Sequence, residues 1–303
     1  MNPKATPSSL DRSSASTRGW VAIVCDLTKA RLTLLVLLTT LVGFYLGTSG
    51  ATDYARLFHT MVATALLAGG AAALNQLLER DYDARMRRTA TRPLPAGELT
   101  PETVLLFGGV CSVSGLLYLA FAVNYLTCIL GAVTLLTYLF LYTPLKRVTW
   151  LNTAVGAIPG AIPPLMGWTA ASGQFSPEGW TLFGILALWQ LPHFFAIAWL
   201  YRDEYARAGF VMLPAVDADG ARTGAQAVSH TLALLGVSLL PFLFKLAGPV
   251  YLVGALLLGL AYAAFAVRFA RALSLTAARQ LFYSSIIYLP LLLTLLVGDK
   301  LMK

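Results

Sequence analysis

Apolar runs of about 20 residues recur along nearly the whole chain, and one such run is enough to cross a bilayer. In lipid every backbone N–H and C=O needs an internal partner, so crossing segments must be helices or the strands of a closed barrel. These runs are solid Leu, Ala and Val blocks without apolar–polar alternation, which reads as helix. About nine can be traced, each near the length a crossing needs: 32–46, 58–78, 104–123, 125–142, 152–171, 180–200, 227–244, 250–269 and 281–297. The predicted class is an all-α polytopic membrane protein with two four-helix pseudo-repeats plus one helix. Only 12% of the 303 residues are charged, against roughly 25% in soluble domains, which leaves no room for an inserted soluble domain. The Ser-rich residues 1–25 are expected to be a disordered cytoplasmic tail, and 26–303 a single integral-membrane domain.

The formal charge of +8 raises the question of a nucleic-acid partner. Its distribution answers it. With the N-terminus placed inside, only Arg56, Lys245, Lys300 and Lys303 fall outside, and every other lysine and arginine falls inside. An asymmetry of that kind sets membrane orientation, so the expectation is N-terminus cytoplasmic, C-terminus outside and no nucleic acid. Cys25, Cys111 and Cys128 form no CxxC or CxxCH, which argues against a disulfide framework, a zinc site or covalent haem attachment.

The charged residues gather in two inside loops, near 79–102 and 201–226, each after the second span of a four-span group. Asn75, Glu79 and Asp83 follow an i, i+4, i+8 spacing, which places them in one stripe of a helix. Like charges at i, i+4 destabilise a helix unless a cation sits between them. Mg²⁺ takes oxygen ligands and is commonly shared with substrate phosphates. A solvated helix end with a few acids is the alternative. Arg80, Arg85, Arg87, Arg88 and Arg92 crowd the same segment. Guanidinium forks match phosphate oxygens, although positive-inside topology alone explains some of them. Both acids are expected at the water boundary, where alanine replacements leave the fold intact.

The second loop carries Tyr201, Asp203, Glu204, Tyr205 and Arg207. His193, an ionisable residue within a span, is a functional candidate. On one continuous helix His193 and Glu204 share a face, roughly 16 Å apart along the axis. Tyr142, Lys146 and Arg147 end the fourth span on the same side. The Gly- and Pro-rich 152–168 reads as a broken helix lining a cavity.

Asn75…Glu79-Arg80-Asp81-Tyr82-Asp83…Met86…Arg88-Thr89…Arg92-Pro93-Leu94 resembles the first Asp-rich motif of the UbiA-type intramembrane prenyltransferases. More narrowly, the chain is similar to the haem-farnesylating branch of that family. Thr28-Lys29…Arg31-Leu32, Tyr142-Thr143…Leu145-Lys146-Arg147, Gly156…Gly160-Ala161…Pro163-Pro164…Gly167-Trp168, Trp189-Gln190…Pro192-His193-Phe194 and Asp203-Glu204-Tyr205…Ala208-Gly209…Met212-Leu213-Pro214 carry that likeness. Glu79 and Glu204 stand where the family usually has Asp.

The resemblance implies Mg²⁺-dependent transfer of a farnesyl group from farnesyl diphosphate to a vinyl group of haem b, with water added. Haem b is then a substrate and not a resident group. Asn75, Glu79, Asp83, Asp203 and Glu204 would hold metal. Arg80, Arg88, Arg92, Lys146, Arg147 and Arg207 would bind diphosphate, and His193 haem. Lys29, Arg31, Tyr142, Tyr201 and Tyr205 are further candidates. The implied setting is the bacterial inner membrane rather than the mitochondrial one, with a downstream haem A synthase or oxidase assembly as partner. Prenylation of a quinone precursor or another aromatic acceptor is the alternative. A transporter fits less well, because its sites usually lie at the midplane.

Overall fold

The computed structural model describes residues 18–301, so most of the expected tail lies outside the described residues. The described part of that stretch includes a helix that begins at Trp20. In chain order the helices are α1 (Trp20–Leu27), α2 (Ala30–Gly47), α3 (Tyr54–Asp83), α4 (Pro101–Ala122) and α5 (Tyr125–Leu136). A π-helical turn over Thr137–Tyr142 leads from α5 into α6 (Thr143–Leu145). Then come α7 (Asn152–Ser172), α8 (Pro177–Leu200), α9 (Arg202–Ala208), α10 (Leu213–Val216), α11 (Ala221–Val237), α12 (Leu240–Leu243), α13 (Pro249–Ala272) and α14 (Leu275–Gly298).

Local chemistry sets many of the boundaries. Asp53, Thr100, Asn124, Ser176 and Ser274 each accept a backbone N–H of the first turn they precede. Pro101 and Pro177 follow two of those caps, where a missing N–H costs nothing. Gly173 and Gly209 end α7 and α9 in the left-handed region.

Among the described residues, eight helical stretches are long and apolar enough to cross a membrane. The remaining expected span, 152–171, forms α7 but is not one of the eight. The reason is packing. Every residue from Ala161 to Ala170 is buried, so α7 faces protein on all sides and needs small residues more than oily ones. Pro159, Pro163 and Pro164 lie inside it, yet the helix is continuous, which corrects the expectation of a break. Its glycines serve close approach instead. A Cβ at Gly43 of α2 would fall onto the Pro164 carbonyl, and one at Gly167 onto the Thr40 carbonyl. Only glycine lets α2 and α7 lie so close.

The first group comprises α2, α3, α4 and the α5–α6 rod, with α3 lying along α4 and α5 against both α4 and α7. The second comprises α7, α8, α11–α12 and α13, and α14 packs on α13 and α8. α7 joins the groups, since it packs on both α2 and α8. The second long helix of each group, α3 and α8, ends at one of the two charged segments. Thirty residues make α3 about 45 Å long, against a hydrocarbon core of roughly 30 Å. Its last turns therefore reach the headgroup zone with the helix intact.

Candidate active site

The predicted stripe exists. α3 continues through Asp83, so Asn75, Glu79 and Asp83 project from consecutive turns of one helix. They are not at the water boundary: all three are buried, and Glu79 is only 4% exposed. Each meets a cationic side chain from a different part of the chain. The Lys29 ammonium donates to Asn75 Oδ1 at 2.6 Å, Lys146 to Glu79 Oε1 at 2.7 Å, and Arg92 to Asp83 Oδ2 at 2.5 Å. This corrects the expectation that the two acids lie at the water boundary, where alanine replacements would leave the fold intact. Removing one partner of a buried pair leaves an uncompensated charge, at a cost of about 3–5 kcal/mol.

Lys29 reaches the stripe because it adopts φ 48°, the left-handed region, between α1 and α2. That conformation is costly for a side chain with a Cβ and is typically kept where geometry serves a site. Burial, and then the Arg92 charge, push the Lys29 ammonium down to about 7. Lys146 is the reverse case: burial opposes its charge, but the Glu79 carboxylate together with the Tyr142 and Tyr138 side chains outweighs burial and holds the ammonium well above the ordinary lysine range.

The rod α5–α6 supplies the opposite wall. Asn75 Nδ2 donates to Thr143 Oγ1 at 3.0 Å, and Thr143 donates to the Tyr138 carbonyl across the π-helical turn. Such turns occur mostly as single insertions, often at functional sites. Here it stacks Tyr138 on Tyr142, with ring centroids 5.9 Å apart. Lys146 lies over the Tyr142 ring at 4.4 Å, and Lys29 also donates to the Tyr138 hydroxyl at 3.3 Å. Arg147 lies over the Tyr82 ring at 4.5 Å.

The other predicted residues divide. Arg88 reaches the Tyr205 hydroxyl at 3.4 Å and the face of Tyr201, bridging the two charged segments. Arg80 is exposed beside Asp81, and Arg31 is exposed. Arg207 turns back to the Asp203 carbonyl. Asp203 itself points to the surface, its side chain 87% exposed. Glu204 is half-buried, with Oε2 enclosed and unpartnered. Among the described residues, no three His, Cys, Asp or Glu side chains gather as one metal-ligand cluster.

His193 and Glu204 do not share one helix face. α8 stops at Leu200, Tyr201 leaves the helical region at φ −116° and ψ 20°, and α9 restarts beyond it. All the polar and ring contacts of His193 are to α8 and α14: Ser285, Trp189, Phe194 and Phe282. Sequence reasoning missed Thr143, Tyr138 and Ser285. Tyr138 was findable, since it lies four residues before Tyr142 and hence on its side of the rod.

The donor set can hold Mg²⁺: an amide oxygen, two carboxylates on one helix face, and the enclosed, unpartnered Glu204 oxygen nearer the second segment. Three cations within hydrogen-bond reach of those oxygens suit an anionic ligand that brings the metal with it.

Known proteins place the chain in a family and a fold. A protein from Solibacter usitatus (strain Ellin6076), "Protoheme IX farnesyltransferase", is 48% identical over 284 residues, covering 91% of this chain and 97% of that one. In fold the chain is similar to a digeranylgeranylglyceryl phosphate synthase, with a TM-score of 0.79 at 14% identity over 92% of this chain and 98% of that one. It is also similar to a UbiA homolog from Archaeoglobus fulgidus bound to DMAPP and Mg²⁺, with a TM-score of 0.65 at 16% identity over 90% and 98%. Residues 36–289 match the UbiA prenyltransferase family, and the chain belongs to that family.

Proposed function

We propose that this prenyltransferase transfers the farnesyl group of farnesyl diphosphate to a vinyl group of haem b, adds water, and so makes haem O. The carrying observation is the buried stripe of Asn75, Glu79 and Asp83, matched residue by residue with Lys29, Lys146 and Arg92. It occurs in a chain 48% identical to a protoheme IX farnesyltransferase.

Asn75, Glu79, Asp83 and Glu204 would hold Mg²⁺. When bound, the ion neutralises the leaving diphosphate, as a Lewis acid does. The basic side chains act with it. Lys146 and Arg92 exchange their carboxylate partners, and Lys29 its amide partner Asn75, for diphosphate oxygens, and Arg147 and Arg88 close over the same group. The stacked Tyr138 and Tyr142 rings present π faces beside these cations, a surface that stabilises positive charge as the C–O bond of the allylic diphosphate breaks. The vinyl CH₂ carbon forms the new bond to farnesyl, and positive charge passes to the carbon next to the porphyrin. Water adds there and releases a proton, leaving a secondary alcohol. Diphosphate departs with the bonding electron pair. His193 orients haem through its iron.

The location proposed is a bacterial inner (plasma) membrane, and the charge asymmetry supports an N-terminus in the cytoplasm and a C-terminus outside. In that orientation the stripe opens to the cytoplasm, where a water-soluble diphosphate is released. Haem O then passes to the proteins that assemble terminal oxidases.

The test is anaerobic turnover of haem b and farnesyl diphosphate with Mg²⁺ in heavy-oxygen water, read by mass spectrometry of the extracted haem. One heavy oxygen per farnesylated haem is expected. Incorporation from oxygen gas would rule out water addition, and unaltered haem b would rule out the substrate assignment.

A further inference from the structure

The contact between α8 and α14 carries information about the protonation of His193. Ser285 Oγ lies 2.5 Å from the Phe282 carbonyl oxygen and 2.7 Å from His193 Nδ1. A serine hydroxyl has one proton and two lone pairs. Two oxygens 2.5 Å apart repel unless that proton lies between them, and the distance is that of a short O–H···O bond. The Ser285 proton is therefore committed to Phe282. Toward His193 the hydroxyl has only a lone pair to offer, so Nδ1 must carry the hydrogen. A neutral imidazole has one N–H, which leaves Nε2 bare. Nε2 has no hydrogen-bond partner among the described residues.

The surroundings hold this arrangement. Ser285 is fully buried, so water cannot replace it as acceptor. Trp189, one turn before His193, donates its indole N–H to the Ser285 carbonyl at 2.8 Å and ties the two helices at the same level. The His193 ring lies nearly parallel to Trp189 and to Phe282, at centroid distances of 4.9 and 5.1 Å. Stacking sets the plane of the imidazole, and Ser285 sets which edge is protonated. A bare imidazole nitrogen is the atom that binds iron, and the hydrogen bond on the other nitrogen determines which one is bare.

We infer that Ser285 of α14 is a positioning residue that holds His193 as the Nδ1–H tautomer, so that Nε2 is presented to the iron of the haem substrate. This rests on the haem reading above and adds a residue from the far end of the chain to it.

Two measurements separate the parts. Nitrogen-15 spectra of histidine-labelled protein without haem report the tautomer directly, with His193→Gln identifying the resonances. The expected result is a protonated Nδ1 and an unprotonated Nε2. In Ser285→Ala that signature should be lost, and in Ser285→Thr, which keeps a hydroxyl, it should return. In haem b titrations Ser285→Ala should bind about ten-fold more weakly with a shifted visible spectrum, in the range seen when the outer partner of a ligating histidine is removed. Farnesyl diphosphate binding should be unchanged. A protonated Nε2 in the parent protein overturns the inference, as does a Ser285→Ala variant with the parent's tautomer and haem spectrum. If the tautomer is as stated but His193→Gln binds haem with the parent's affinity and spectrum, the presentation of Nε2 to iron is overturned, whereas failure of the haem reading itself would show as unaltered haem b in the turnover experiment.

Discussion

The two charged segments look alike in sequence and are built differently. Each follows the second long helix of its group and mixes acids with arginines. At the end of α3 the helix persists, Glu79 and Asp83 are buried although Asp81 between them is exposed, and each polar group on the stripe has a cation bonded to it. At the end of α8 the helix breaks at Tyr201, Asp203 points to the surface, Glu204 keeps one enclosed and unpartnered oxygen, and the buried Asp217 carboxylate is taken up by the backbone N–H and hydroxyl of Thr223. Like residue content therefore does not mean like function. The first segment is a preorganised charge network, and the second offers one unpartnered carboxylate oxygen, on Glu204, and the contacts of Tyr201 and Tyr205 with Arg88. Burial makes the difference, because a charge held away from water interacts far more strongly with its neighbours than an exposed one.

That contrast is open to attack by mutation. The largest effect is expected at the stripe. Asp83→Asn and Glu79→Gln keep shape but remove charge, and each should lower kcat by at least about 10²–10³-fold, the scale for losing one preorganised electrostatic group. The alanine versions should also lose about 3–5 kcal/mol of stability by stranding Arg92 or Lys146. Steady-state kinetics and thermal melts in detergent read the two effects separately. Normal turnover of Asp83→Asn at limiting Mg²⁺ would mean that the two segments do not differ as described.

Lys146→Met removes the cation from Glu79 and from the Tyr142 face. Turnover should fall about 10²-fold, chiefly through kcat, because the ammonium is expected to act on charge that develops as diphosphate leaves. An effect on KM alone would place Lys146 in ground-state binding instead. Glu79→Asp should retain activity within about ten-fold, roughly the cost of moving one ligand by a methylene at a site that tolerates small shifts.

The second segment should respond less. Glu204→Gln is expected to cost about ten-fold in turnover, about 1.4 kcal/mol of barrier, and to raise the Mg²⁺ concentration required. Asp203→Ala should stay within about two-fold, since exposed charges seldom contribute more than about 1 kcal/mol. If Asp203→Ala were as damaging as Asp83→Asn, the two segments would have to be treated as equal partners.

The limits of the linear chain show at particular residues. The stripe was legible because 75, 79 and 83 are each about one helical turn apart and helical periodicity is local. Its neutralisation was not, because Lys146 lies 67 residues from Glu79 and Lys29 lies 46 from Asn75. The α8–α9 break was hidden because Tyr201-Arg202-Asp203 carries neither Gly nor Pro, so nothing in the local code marks the turn. The prolines of α7 misled in the other direction. Three of them suggested a break, whereas packing against α2 and α8 keeps the helix whole.

By itself the sequence determined the solvent this protein folds in, its helical class, the end of the bundle where charge collects and the family to which it belongs. Those properties depend on hydropathy, period and local motif, which need no knowledge of distant contacts. Tertiary structure alone decided which cation meets which acid, that the acids are buried, how the π-helical turn stacks Tyr138 on Tyr142, and that Ser285 meets His193 from 92 residues away. Each of these depends on where separate helices dock. Docking is set by the shape of many small contacts, such as Gly43 against Pro164 and Gly167 against Thr40, which no local pattern encodes.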